Sequence, residues 1–536
     1  MASFDRVLAA APDHVGALCN RAKTLITLRR YDEALASTER ALAIAPRDAE
    51  AHFTRGNVLT KLERRGEAIG AFEQALAIDP QHPHAAAVLA NCYLAHCDWD
   101  KTAQITRELK RRLADGKSVI APFVLFGLPF GPAELLACTR RFVEREIPQV
   151  AAQPGRHPRP RSDRIRVAYL SGDFGRHPLS YLTAELFERH DRTRFEIIGM
   201  SCGPDDGSDI RARIVKSFDR FHDAVSLGDR DAVKLLHDLE VHIVVDLSGY
   251  TDNGRPGILV QRPAPIQASY LGFLGTMGAD FIDYVIGDEV ILPPEQEPYY
   301  TERIVRLPHC FQVNDSTRKI SSRIPSRSEA GLPEHGFVFC CFNGNYKITA
   351  PVFDIWMRLL QEVDGSVLWL IRSNDAAAAN LWREAAARDL DPARLVFAAK
   401  ATPEDHLARH RLADLFLDTL PINAGATASD ALWAGLPIVT RLGDTFPGRI
   451  SASLLRAVGL PELVTHSAAD YEALALRLAR DPALLGSLRR RLADNRLSFP
   501  LFDTDLFRRH IEAAYTTMCE IHWRSESPRS FSVEPT

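Results

Sequence analysis

The run LPINAGATASDALWAG at 420–435 sets Gly425, Ala426 and Thr427 at the mouth of a helical phrase. Bare backbone N–H groups and the positive end of a helix dipole at such a start suit a phosphate. Asp430, one turn in, can turn a carboxylate to the ribose hydroxyls of the same nucleotide. A plain strand-to-helix junction with a threonine cap reads the same way. In FNGNYKI (342–348) Lys347 follows an apolar run, where an ammonium can neutralise a diphosphate as it becomes a leaving group. A solvated surface lysine is the ordinary alternative. His406, in TPEDHLARH, opens a helix after a strand and can pack on a base, with Arg409 one turn later; a lone histidine there is usually a surface residue.

Earlier, SGDFGRHPLS (171–180) holds His177 before Pro178, with Gly172 and Gly175 permitting close backbone approach. Such a histidine serves as a general base near neutral pH if it faces a cleft. His242, inside VHIVVDL, is as readily a satisfied core histidine as a ligand contact. The glycines of LGFLGTMGAD (271–280) lack a helix start and signal little. Asp229-Arg230-Asp231 has the D-x-D form of metal-dependent sugar transfer, but it opens a predicted helix remote from these loops. It reads as a cap, and no metal is expected.

The elements that must position these residues change along the chain. Pro12, Pro46 and Pro80 lie 34 residues apart, and ALAIAP (41–46) returns as ALAIDP (75–80). That period predicts tetratricopeptide helix pairs, which bury their apolar faces only by stacking and offer a surface for a protein or peptide, or for a homodimer. Small residues recur where paired helices touch: Ala22, Ala34 and Ala41, then Gly56, Ala68 and Ala75, with Ala90 kept and Thr102 standing for alanine in a degenerate third unit. The expected division is repeats over 1–116 and a helical bridge and Pro/Arg-rich linker over 117–162. From Ile165, short β-branched or aromatic runs ending in Gly, Asp or Ser alternate with helical stretches, and a second set starts at FVFCCFN (337–343). This predicts an α/β fold after the all-α repeats, with two Rossmann-like domains over 163–330 and 331–515 and a cleft between them. A polar tail is expected over 516–536, disordered beyond Trp523.

Composition narrows the partners. The 536 residues carry a net charge of -4 with both signs interspersed, which leaves no electrostatic footprint for nucleic acid or an acidic membrane. Nine cysteines without a C-x-x-C pair fit free thiols in a reducing cytoplasm. No basic and apolar leader opens the chain, and the apolar stretch Val119 to Phe130 is broken by Pro122 and Pro129. A cytoplasmic protein is expected.

Several long phrases then match in order. SGDFGRHPLSYL, GPDDGSDIR, VHIVVDLSGYT, RPAPIQASYLGFLGTMGADFIDYVIGD, SVLWLIR, LADLFLDT and SDALWAGLPIVT resemble the bacterial relatives of protein O-linked N-acetylglucosamine transferase. The resemblance covers nearly the whole chain. It implies the GT-B architecture, no metal or cofactor, and inverting transfer of N-acetylglucosamine from the donor substrate UDP-GlcNAc to Ser or Thr of proteins. It implies Lys347 as the diphosphate contact, His406 and Arg409 on the uracil side, and Asp430 as ribose partner. Gly425, Ala426 and Thr427 become the phosphate turn, His177 a candidate base and His242 a cleft residue. The donor's own phosphate is the competing proton acceptor.

The departures are specific. Gly425-Ala426-Thr427 stands where the family has His-Thr-Thr or Gly-Thr-Thr, Gly344 where animal enzymes have glutamine, Pro403 where they have a lysine near the ribose, and Leu274 where many relatives have proline. A lost hydrogen bond to a charged phosphate costs about 1.5–3 kcal/mol, or roughly ten- to a hundredfold in donor affinity. The alternatives are the related SPINDLY-type transfer of fucose from GDP-fucose and a repeat scaffold whose transferase half has decayed to a binding module.

Overall fold

Small residues at the 34-residue spacing determine how the first helices stack. The computed structural model describes residues 2–116, 119–148 and 161–536. The chain divides into two units, Met1–Leu128 with Ser373–Leu381, and Pro129–Arg372 with Trp382–Thr536. In the first unit, helix Ala2–Ala10 precedes three pairs: Val15–Thr27 with Tyr31–Ile44, Ala49–Lys61 with Arg65–Ile78, and Ala85–Ala95 with Trp99–Ala114. Ala22, Ala34, Ala41, Ala68, Ala75 and Ala90 are fully buried. A Cβ on Gly56 would lie 2.4 Å from the Phe72 ring, so the helices approach as closely as glycine allows. The caps repeat as well: His14, Asp48 and His82 accept from Ala17 N, Ala51 N and Ala85 N. A groove of about 720 Å³ runs beside the last two pairs, lined in part by Glu73, Leu89, Tyr93, Lys101, Arg107 and Arg111.

The second unit holds two parallel sheets. The first contains β1 (Ile165–Ser171), β2 (Phe195–Ser201), β3 (Arg220–Asp223), β4 (Ile243–Asp246), β5 (Ile266–Ser269), β6 (Tyr284–Asp288) and β7 (Arg303–Leu307). The second contains β8 (Val338–Cys341), β9 (Val367–Ile371), β10 (Leu395–Ala398), β11 (Leu415–Leu417), β12 (Ile438–Arg441) and β13 (Val464–Thr465). A last strand, β14 (Phe531–Ser532), pairs with β7. The orders are β14-β7-β6-β5-β4-β1-β2-β3 and β10-β9-β8-β11-β12-β13. Each is doubly wound, and each reverses direction at one place, between β1 and β4 and between β8 and β11. Ligands in such sheets bind beyond the carboxyl ends of the strands at that reversal. The arrangement is GT-B, following tetratricopeptide repeats.

Three expectations about boundaries are corrected. Helix Pro132–Glu146, expected in a separate bridge, packs on the first sheet's loops: the Phe142 and Tyr250 rings are 5.0 Å apart, and a Cβ on Gly278 would meet Thr139 Cγ2 at 2.9 Å. Residues 154–160 of the expected linker lie outside the described residues. The second domain does not run to 515, because helix Thr504–Trp523 returns to the first sheet. Its buried face of Phe507, Ile511, Ala514, Tyr515 and Met518 packs there, the Tyr515 hydroxyl 2.9 Å from that of Tyr169 and Glu512 Oε1 2.9 Å from His190 Nδ1. The polar tail is not disordered, since β14 adds an edge to that sheet.

Candidate active site

The turn after β11 is built around a carboxylate. Asp418 is fully buried and accepts from Thr419 N at 2.8 Å, Ala424 N at 2.7 Å and Thr440 Oγ1 at 2.6 Å. Burial pushes its pKa up, and those donors oppose the shift. The caged carboxylate fixes residues 419–424, and Ser451 Oγ donates to Ala424 O at 2.9 Å from the far side. Helix Ala426–Trp433 therefore starts at a fixed place, with Gly425 as a cap that has no side chain to satisfy the first N–H groups. Those groups have no intrahelical partner.

The loop after β8 faces this turn. Lys347 Nζ donates to Asn423 O at 2.9 Å, and Thr427 Oγ1 donates to Asn343 Oδ1. Asn343 Nδ2 donates onward to Thr419 Oγ1 at 2.8 Å. An ammonium and a helix N-terminus thus converge at the reversal between β8 and β11. Buried Asn343 ties the loop after β8 to the turn and to the helix start. The Thr427 hydroxyl is spent on that asparagine, and Ala426 offers none, so the donors at the mouth are Lys347 and backbone amides. At Gly344 a Cβ would lie 2.7 Å from the Tyr346 ring, so Tyr346 occupies the space a glutamine would use.

Beside this turn lies a ring cluster. The centroids of Phe342, His406 and His410 are 4.8–5.3 Å apart, and the Arg409 guanidinium lies 4.8 Å from the Phe342 ring. Arg409 Nη2 contacts His406 Nδ1, and His410 Nδ1 donates to His406 O at 2.7 Å. Burial, aided by neighbouring cations, holds His406 down to about 2, and burial takes His410 down to about 4. Both are neutral at physiological pH, and a neutral imidazole is a stacking surface for a base. Burial lowers Arg409 only to about 10, so it keeps its charge. Pro403 is the first residue of helix Pro403–Arg409, which Thr402 caps, and it is exposed.

Two residues absent from the sequence reading complete this side. Arg318 Nη1 pairs with Asp430 Oδ1, and Gln312 Nε2 donates to Ser429 Oγ at 2.7 Å. A Cβ on Gly425 would sit 3.3 Å from Gln312 Oε1, so Gln312 borders the space a larger residue there would enter. Both lie on an irregular strap between the sheets. Without an element or a periodic pattern, only their charge and polarity were visible, and those usually mark solvent.

In the first sheet His177 stands at the reversal between β1 and β4, as the cap of helix Pro178–Arg189. It is exposed, and its Nδ1 accepts from Leu179 N at 3.3 Å. With Nδ1 so engaged, a hydrogen on Nε2 makes that atom a donor toward the cleft. The neighbouring loops meet closely: Gly172 N donates to Ser248 Oγ at 3.0 Å, and a Cβ on Gly172 would lie 2.1 Å from Asn253 Cβ. His242 is corrected. It is buried at the amino edge of β4, where Nδ1 accepts from Arg166 N at 3.1 Å, the opposite edge from the cleft loops. Asp229 opens helix Asp229–Asp238 and takes the Arg255 guanidinium.

A sequence profile described as glycosyl transferase family 41 matches residues 145–324 and 318–511. The chain belongs to glycosyl transferase family 41. Tetratricopeptide profiles match 2–49, 19–83 and 59–119 ahead of the family 41 region. An Arabidopsis thaliana relative, probable UDP-N-acetylglucosamine--peptide N-acetylglucosaminyltransferase SEC, is 36% identical over 69% of this chain and 38% of its own length. A Caenorhabditis elegans UDP-N-acetylglucosamine--peptide N-acetylglucosaminyltransferase is 27% identical over 65% of this chain and 40% of its own. The family 41 chain here thus spans about two fifths of those relatives. Among solved structures, a lysine-to-methionine mutant of Thermobaculum terrenum O-GlcNAc transferase matches with a TM-score of 0.78 and 28% identity, covering 95% of this chain and 98% of that one.

Proposed function

We propose that this family 41 chain is an inverting, metal-independent protein O-glycosyltransferase that moves N-acetylglucosamine from UDP-GlcNAc to serine or threonine hydroxyls. The observation that carries the reading is that Lys347 Nζ rests on Asn423 O, in the turn that leads into the helix starting at Ala426. The uracil stacks on His406 beside Arg409, the ribose meets Asp430, and the diphosphate lies between the ammonium and the helix amides. The acceptor hydroxyl attacks the anomeric carbon opposite the phosphate, forming one C–O bond as the other breaks. Charge then grows on the leaving diphosphate, where Lys347 and the amides are already aimed. His177 serves as a hydrogen-bond donor in the cleft, and the hydroxyl proton goes to the donor's own phosphate oxygen.

Acceptor proteins engage the repeats, where the groove mixes apolar walls with both signs of charge. A reducing, cytoplasmic setting is part of the reading, supported by nine scattered cysteines with no C-x-x-C pair, seven of them buried. None of the helices among the described residues is long and apolar enough to cross a membrane.

Calorimetric titration with UDP and with GDP, followed by mass spectrometry of co-purifying proteins, tests this. UDP binding with hexosamine on serine or threonine is expected. A GDP preference with deoxyhexose turns the reading to fucosyl transfer, and failure to bind either nucleotide leaves a scaffold.

A further inference from the structure

The strap between the two sheets is pinned to the first and reaches into the second. Asp315, fully buried, accepts from Thr317 N at 2.8 Å and holds Arg213 of the first sheet's helix Asp209–Ser217. Ser316 N and Oγ both donate to Glu185 on helix Pro178–Arg189, at 2.6 Å and 2.8 Å. From this anchored stretch Arg318 extends to Asp430, and its own carbonyl accepts from Trp433 Nε1 at 3.2 Å. The backbone is thus held at both ends of the reach, and the side chain is only 10% exposed.

The guanidinium is incompletely used. Nη1 is on the Asp430 carboxylate and Nε has a 3.4 Å contact to Asp315 O, but the buried Nη2 has no hydrogen-bond partner. A buried cationic N–H without an acceptor is costly, and this one faces the residues of the candidate site. Arg318 also lies close enough to His406 to help disfavour its protonated form. It therefore sits between the residues read as base platform and ribose partner. The element that brings His406 carries Pro403, exposed and without charge, at its first turn. Beside Asp430 the cation comes from the strap.

We propose that Arg318 is a donor-specificity residue that binds the ribose of the nucleoside diphosphate through Nη2 while holding Asp430 in place through Nη1. This rests on the nucleotide reading of the site. The two groups divide the sugar's hydroxyl edge: Asp430 accepts from one hydroxyl, and Arg318 donates to an oxygen of the other. Arg318 thereby makes the site choose ribose over deoxyribose, a choice that Lys347 and the helix amides do not make.

The test is calorimetric titration of the full chain and of Arg318→Met with UDP, 2′-deoxy-UDP and 3′-deoxy-UDP, with thermal melting to check folding. The wild type is expected to favour UDP over at least one deoxy analogue by about tenfold or more, and Arg318→Met to narrow that ratio to about twofold. A ratio unchanged in Arg318→Met, or absent from the wild type while UDP still binds, overturns this inference and leaves the nucleotide reading intact. No UDP binding by the wild type overturns both. If Arg318→Met does not fold, Arg318→Lys is read instead: it replaces the two-pronged guanidinium with one compact ammonium that cannot serve Asp430 and the ribose from two separate nitrogens, so a fully retained preference overturns the proposal.

Discussion

Lys347 Nζ and Asn423 O are 2.9 Å apart, so the ammonium from the loop after β8 already rests on the turn after β11 before any ligand is considered. It is held by a neutral carbonyl, a partner that a phosphate oxygen outcompetes because there both members of the pair are charged. Lys347→Ala is expected to weaken UDP binding about ten- to a hundredfold and to lower kcat about a hundred- to a thousandfold. Calorimetry and acceptor labelling read the two effects. Full turnover in the variant would remove Lys347 from the chemistry.

The missing hydroxyl at 426 can be restored. Ala426 is the first residue of its helix and is not fully buried, so a serine there meets no core. Ala426→Ser is expected to tighten UDP binding by about tenfold, the value of one hydrogen bond to a charged group. Unchanged affinity would mean the phosphate does not pass that residue.

How much of this was legible is clearest at particular residues. The runs that became β1, β2, β4, β8, β9 and β11 are apolar and end in turn residues, because buried parallel strands demand that composition. β3 and β13 are not visible that way: Arg220–Asp223 is a partly exposed edge strand and Val464–Thr465 is two residues long. Lys347, Thr427 and Asp430 were findable because loops after strands are few. Arg318 and Gln312 were not, since what makes them matter is the approach of a strap to a helix more than a hundred residues away in sequence.

Acidification should weaken the fold through the ring cluster. His406 and His410 are held at about 2 and about 4 in the folded chain. As pH falls through the ordinary imidazole value of about 6.5, the unfolded chain takes up protons that the folded chain refuses. Stability is therefore fully present above that value and is lost on descent toward 4 for His410 and toward 2 for His406, at up to about 1.4 kcal/mol per pH unit for each. Urea midpoints measured from about pH 7 to about pH 5 should fall less steeply for His410→Phe than for the wild type. Parallel slopes would show that His410 titrates normally.

The repeat packing offers a test away from the cleft. Alanine is normally better than glycine in a helix by about 1 kcal/mol, yet a Cβ at 56 meets the Phe72 ring at 2.4 Å. Gly56→Ala is expected to destabilise the first unit by about 1–3 kcal/mol through overpacking. Restoration by Gly56→Ala with Phe72→Leu would locate the strain, and a stabilised Gly56→Ala would refute the contact.

The return of helix Thr504–Trp523 and β14 to the sheet that begins at Ile165 has a consequence for biogenesis. More than three hundred residues separate the first strand from the last strand of the same sheet. On the ribosome the earlier Rossmann domain must wait, with one edge and one face uncovered, until the later one has been made and the tail emerges. The nascent chain is thus most exposed to aggregation during the synthesis of its own second sheet.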